Sequence, residues 1–190
     1  MGKKKIFVIS GPSGAGKTTL LNTLFLKRKI KKNFILAVSY TTRKKRPREK
    51  EAVDYYFITK EEFLRLKRDN FFLESQKVLS DYYGTPKFFI DKAARQGKDP
   101  ILCIDVAGGM YLKKKAGRGR IVTIFIEAPD SKEMMRRLQE REEAKESIEK
   151  RVRLAKKEMR FSQKYDYVIM NRDIEQAVKL LGAVLLAERS

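Results

Sequence analysis

Short apolar runs alternate with longer amphipathic segments along most of the chain. The runs at 6–10, 34–39, 101–106, 121–127 and 167–171 predict strands. Between them, helical spacing predicts helices over 18–27, 88–97, 107–115, 131–141, 148–161 and 174–189. Such alternation packs as a parallel sheet wrapped by helices on both faces, with ligands at the carboxyl ends of its strands. Two stretches break the rhythm. Residues 40–86 carry a basic loop, a short strand at 55–58, a helix opened by Thr59 with Glu62 as a capping box, and two aromatic clusters. Residues 140–150 are almost wholly charged. Both read as insertions at the ligand end, where substrate-binding and lid elements belong.

Bulk properties narrow the picture. A chain of 190 residues is expected to form one domain with a sizeable core. The single Cys103 excludes an intrachain disulfide framework, and no apolar run is long enough to span a bilayer. The Lys-rich start lacks a signal-type apolar stretch, and Ile6 stands where a myristoylation signal needs Ser or Thr, so the chain is expected to be soluble and cytoplasmic. The formal charge of +20 asks for an anionic partner. Yet no RNA or DNA motif joins the basic runs at 3–5, 27–32, 43–50 and 113–120. Only the run at 43–50 also belongs to a candidate small-molecule site; for the rest a solvated Lys-rich face, or the surface of a heat-adapted protein, is the reading, and a specific nucleic-acid partner is not expected. Histidine is absent, which removes a His base, a Ser/His/Asp triad and His-ligated metals. Phosphoryl transfer to an anionic acceptor suits what is left, because it needs positioned charge more than a strong base.

The stretch GPSGAGKTT, directly after the first apolar run, supplies the donor chemistry: Gly11, Pro12, Ser13, Gly14, Ala15, Gly16, Lys17, Thr18 and Thr19 fit GxxxxGK[ST]. Glycines let successive backbone N–H groups turn toward an anion, and the following helix adds the positive end of its dipole. Lys17 is expected on the β and γ phosphates of a nucleotide and the Thr18 hydroxyl on Mg²⁺. A chance Gly-rich turn is the alternative, and the strand before and amphipathic segment after argue against it.

Beyond the P-loop come SYTTR leading to Arg46 and Pro47, then DYYF, FLE, DYYGTP, IDVAGG, an Arg-rich segment and YDYVIMN. In this order, and nearly end to end, the chain resembles guanylate kinase, which moves the γ-phosphoryl of ATP to GMP. The resemblance implies an α/β fold: a P-loop parallel sheet with helices on both faces, a mixed α+β GMP-binding insertion over 39–86 and a helical lid over 131–155. The core is then 1–38, 87–130 and 156–190.

It further implies that Arg43, Arg46, Tyr55 and Tyr83 hold the GMP phosphate, two guanidinium forks and two phenols suiting a dianion. Glu74 would read guanine by accepting from N1–H and the N2 amino group, with Ser39 and Thr85 supplying further hydrogen bonds. Adenine would leave that carboxylate unpaired. Asp105 matches a site residue for GMP and for Mg²⁺ or its waters, the alternative being a helix-capping Asp. Arg137, Arg141 and Arg151 match the lid arginines that, with Lys17 and Arg43, serve catalysis; Arg136 and Arg153 are neighbours that could make those contacts instead. Asn171 is placed near the adenine. Cys103 and Ala107 depart from the Asp and Gln usual in the family. Implied ligands are ATP with Mg²⁺ and GMP or dGMP, in a monomer or homodimer that recycles guanine nucleotides toward GTP. Taken from the residues alone, an Arg in a basic loop is a solvated charge, a Glu after Phe71, Phe72 and Leu73 an exposed strand end, and Arg beside Glu at helical spacing a surface pair. A phosphoprotein-binding module on this fold and a kinase for another phosphorylated acceptor are the rivals; the intact Lys17, Thr18 and Arg-rich lid argue against the first.

Overall fold

The computed structural model describes residues 5–47, 49–115, 120–139 and 145–189. In chain order its elements are β1 Ile6–Ser10, α1 Lys17–Leu24, α2 Arg28–Asn33, β2 Phe34–Leu36, β3 Ser39–Thr41, β4 Tyr55–Phe57, α3 Lys60–Arg68, β5 Phe72–Val78 and β6 Asp81–Pro86. There follow α4 Phe88–Arg95, β7 Asp99–Cys103, α5 Val106–Lys115, β8 Ile121–Glu127, α6 Ser131–Gln139, α7 Lys145–Met159, β9 Tyr167–Met170 and α8 Ile174–Arg189. Five strands pair in parallel in the order β2-β7-β1-β8-β9. The period-two alternation of β1 explains why helices cover both faces. Phe7 and Ile9 pack with Leu20, Leu21 and Leu24 of α1 and Leu181 and Leu185 of α8, whereas Val8 packs with Phe89 of α4 and Leu112 of α5. The chain leaves β1 for edge strand β2 and later returns to β7 and β8 on either side of β1. That makes the end of β1 a topological switch point, where α/β sheets bind ligands.

Residues 39–86 form a second, four-stranded sheet in the order β4-β3-β6-β5. The apolar stretch 34–39, expected as one strand, is divided: β2 pairs with β7 of the parallel sheet, and β3 pairs with β4 and β6 of the second. The two aromatic clusters become the antiparallel partners β5 and β6. Aromatic rings from several elements form the small sheet's own core, with Phe63 of α3 stacked on Phe72 of β5 at 4.6 Å and Tyr40 of β3 on Tyr56 of β4 at 4.6 Å. Gly84 permits this, since a Cβ there would lie 2.8 Å from the Phe72 ring. Thr59 caps α3 by accepting the Glu62 N–H at 3.2 Å. The helix expected over 18–27 stops at Leu24, and the basic residues after it form the short α2.

Candidate active site

The P-loop curls because three of its glycines adopt positive φ: Gly11 at 148°, Gly14 at 87° and Gly16 at 81°. A Cβ at Gly11 would collide with the Ile126 carbonyl oxygen, so the loop lies directly on β8. The Lys17 ammonium donates to the Gly11 and Pro12 carbonyls at 2.5 and 2.9 Å. Thr18 and Thr19 are exposed on the first turn of α1. Asn171, expected near the adenine, is 3% exposed, and its amide donates to the Ala15 carbonyl at 2.8 Å. In this structure it braces the loop from below.

On the acceptor side a hydrogen-bonded chain runs from Ser39 to Glu74. The Ser39 and Thr85 hydroxyls lie 3.1 Å apart, and Thr85 donates to Glu74 Oε1 through its hydroxyl at 2.8 Å and its N–H at 3.2 Å. The β5–β6 register shifts between Phe72 and Glu74, which brings Glu74 opposite Thr85. Glu74 is only 4% exposed, and burial raises its pKa to about 7 against the Thr85 hydrogen bonds that favour the anion. Next to this chain, the Arg43 guanidinium lies 5.6 Å from the Tyr55 ring centroid, and the Tyr55 and Tyr83 rings sit 6.0 Å apart. Arg43 NH2 pairs with Glu49 at 2.7 Å, and Glu49 also accepts the Arg46 N–H at 2.9 Å, with Arg46 NH1 3.6 Å away. Burial works against both charges of the Arg43–Glu49 pair. Their hydrogen bond outweighs it, holding the carboxyl below its usual range and the guanidinium above.

The P-loop lysine and the residues of the second sheet come together at the end of β7. Cys103 and Asp105 both feel the charge of Lys17, while Cys103 acts on Tyr55 and Asp105 on Glu74. Asp105 accepts the Gly108 N–H at 2.8 Å, so it does cap α5, and burial raises its pKa. The lid arginines separate clearly. Arg137 lies against the P-loop, its NH1 3.0 Å from where a Gly16 Cβ would stand, while its Nε donates to Glu133 at 2.7 Å. Arg151 donates to the Ser13 hydroxyl at 3.2 Å. The alternatives Arg136 and Arg153 have side chains 59% and 76% exposed, paired with Glu133 and Glu149. Arg141 lies outside the described residues.

A family model described as guanylate kinase matches residues 3–188. The chain belongs to the guanylate kinase family. It is 42% identical over 185 residues to the guanylate kinase of Clostridium perfringens (strain SM101), covering 97% of this chain and 83% of that one. The guanylate kinase of Caldanaerobacter subterraneus is 41% identical over 97% of this chain and 87% of its own. A crystal structure of guanylate kinase from Anaplasma phagocytophilum superposes with a TM-score of 0.80 at 34% identity, covering 100% of this chain and 89% of that chain.

Within this guanylate kinase-family site, four polar contributors were not singled out from sequence. Glu49 is the one acid in the basic run 43–50 and was hidden by its neighbours. Glu158, seven residues after Arg151 on α7, is half-buried, and burial lifts its pKa to about 7 within reach of the charges of Lys17 and Asp105. The Ser10 hydroxyl donates to the Asp105 carbonyl at 3.3 Å, and Tyr165 packs beside both. Helical spacing from Arg151 was the signal for Glu158; Ser10 and Tyr165 carried none.

Proposed function

We propose that this chain transfers the γ-phosphoryl of ATP to GMP, and to dGMP, giving ADP and GDP as a soluble cytoplasmic enzyme feeding GTP synthesis. The observation that carries the reading is the convergence at the end of β7 of a P-loop lysine with a buried carboxylate and an Arg/Tyr pocket. A phosphate oxygen of GMP attacks the γ-phosphorus as the bond to the β–γ bridging oxygen breaks, and ADP leaves on the opposite side. Arg43, Arg46, Tyr55 and Tyr83 hold the attacking phosphate, and Glu74, Ser39 and Thr85 hold the base. For Glu74 to accept from both guanine donors it must be ionised, so GMP binding expels its proton when the free group carries one.

On the donor side the N–H groups of residues 11–19 cradle the triphosphate, and Lys17 leaves the loop carbonyls for the β and γ phosphates. Arg137 and Arg151 already stand at Gly16 and Ser13, where they can spread over charge on the moving phosphoryl; Arg141 belongs to the same proposed set. ATP arrives as its Mg²⁺ complex. The Thr18 hydroxyl, which is exposed, and the Asp105 carboxylate would hold the ion or its waters, and the ion would supply charge neutralisation at the phosphates. One N–H of the Asn171 amide is committed to Ala15, which leaves its second N–H and its oxygen for an adenine contact.

The test is ADP formation from Mg–ATP with GMP, dGMP, AMP, CMP and UMP offered separately, and again with Lys17→Met. Turnover confined to GMP and dGMP is expected, with Lys17→Met folded and slower by at least about 10²-fold. Bound GMP without turnover would favour a binding module, and survival of turnover in Lys17→Met would sink the donor assignment.

A further inference from the structure

We propose that Glu49 is a positioning residue for the acceptor phosphate, its carboxylate locking Arg43 and the Arg46 main chain into the shape that receives it. This rests on the assignment of Arg43 and Arg46 to that phosphate. A carboxylate between two guanidinium groups has two chemical meanings: it can occupy the phosphate's own place and be displaced, or it can stand behind the arginines and stay. The geometry points to the second. Glu49 Oε2 accepts the main-chain N–H of Arg46 at 2.9 Å, a bond that shapes the loop itself and that an incoming phosphate does not need to break. Oε1 accepts from Arg43 NH2 at 2.7 Å, while Arg43 NH1 donates to the Lys44 carbonyl at 2.6 Å.

These two anchors of the guanidinium belong to the loop, and Tyr83 of β6 adds a side-chain hydrogen bond from outside it. A guanidinium carries five N–H donors, so Glu49 and Lys44 leave some for a ligand. Its plane is also confined by aromatic neighbours, with the Tyr55 and Phe57 ring centroids 5.6 and 5.8 Å from the guanidinium carbon. The Arg43 and Glu49 side chains are 11% and 16% exposed, so water neither screens nor replaces the pair. Without Glu49, two like charges would face each other across a loop that contains no other acid between residues 43 and 50. The positioned arginines would splay, and the pocket would have to be rebuilt by each phosphate that enters.

The experiment is titration calorimetry with GMP and steady-state kinetics on the full chain, on Glu49→Gln and Glu49→Asp, and on Glu61→Gln. Glu61 lies on the exposed first turn of α3, so its loss removes one acid from the same insertion without touching the arginines. Glu49→Gln is expected to weaken GMP binding and raise the GMP KM about tenfold, with the ATP KM within about twofold. Glu61→Gln leaves both unchanged, and Glu49→Asp, with its charge kept on a shorter arm, recovers part of the loss. Unchanged or tighter GMP binding in the Glu49 variants overturns the proposal, the tighter result marking the carboxylate as an occupant that phosphate displaces. Should Glu49→Gln not fold, Glu49→Asp decides: binding weaker by about threefold or more supports positioning, and anything less overturns it. A full chain that binds GMP without phosphorylating it would sink the reaction proposed above, yet the isotherms would still judge Glu49.

Discussion

Gly108 has no side chain to offer, and that absence shapes the surroundings of Glu74, the proposed base reader. A Cβ built on it would stand 2.7 Å from Glu74 Oε2, closer than a methyl group and a carboxylate oxygen can approach. Glu74 cannot yield cheaply, because it is buried and its other oxygen holds two hydrogen bonds from Thr85. Gly108→Ala therefore forces the carboxylate off Thr85, at a cost of about 1–3 kcal/mol for the bonds disturbed. The same change favours the α5 backbone by up to about 1 kcal/mol, since alanine is the better helix former. The expected outcome is a split: the GMP KM rises roughly tenfold, the ATP KM holds, and the melting temperature stays level or falls by a few degrees, since the disturbed bonds cost at least what the helix gains. A variant that melts lower and loses ATP and GMP use together would show that Gly108 serves packing alone. Alanine scanning of the Arg and Glu side chains would miss this position. From sequence, Gly108 was simply part of IDVAGG, because a glycine's value lies in what comes close to it, and Glu74 is 34 positions away in the chain.

At the scale of elements, α7 presents one face to the P-loop. Arg151 reaches Ser13, Ala155 is fully buried in the main core, Glu158 lies over the charges of Lys17 and Asp105, and Met159 packs with Val106, Phe125 and Tyr165. Positions 151, 155 and 158 recur at helical spacing, so a single rotation of the helix would move the whole set. Arg151→Ala is expected to lower kcat by about 10²-fold while leaving the GMP KM within about threefold, whereas Arg153→Ala, on the solvent side, changes neither by more than about twofold. Equal losses in the two variants, read from initial rates at saturating ATP and GMP, would remove the distinction between faces. Most of the frame that holds α7 was legible from periodicity: β1, β8 and α8 have the bounds that the apolar pattern gives them. What was not legible depends on partners distant in sequence. The run 34–39 contains no Gly, Pro, Asn or Asp, and its division at Ala37 and Val38 comes from two different sheets competing for the same chain. β5 breaks alternation at its bulge, and α2 buries only Ile30, too little to give a helical stripe. The site followed the same rule. Motif residues were visible because the P-loop and the Arg/Tyr spacing are local, while Glu49 stood hidden in a basic run and Glu158 was marked only by its helical spacing from Arg151.

The whole molecule carries a charge of +20 and no histidine, and the second fact makes its buried acids measurable. Ordinary carboxylates have finished titrating by about pH 5.5 and lysines begin above about pH 9, so a chain without histidine has little to ionise between. Glu74 and Glu158, both with pKa about 7 because burial disfavours their anions, titrate inside that gap. Unfolded, each returns to about 4.3, so the unfolded chain holds fewer protons than the native one across the window. Stability from these groups is fully present below about pH 4.5 and is lost as pH rises through 7. Glu49, Asp166 and Glu188 are shifted the other way, but they are ionised in both states above pH 5.5 and add no slope there. The ligand-free chain is thus expected to melt lower at pH 8 than at pH 5.5, by on the order of 5 °C, in buffers of equal ionic strength. Saturating GMP should flatten that slope, because guanine donors hold Glu74 ionised and transfer its proton cost to the binding step. The GMP KM should correspondingly fall as pH rises from 5.5 to 7.5, and Glu74→Gln should lose part of the stability slope. A melting temperature that is flat or rising over this range would mean that both carboxylates are already charged in the native state, stabilised by the surrounding cations, and that burial does not dominate at the centre of the site.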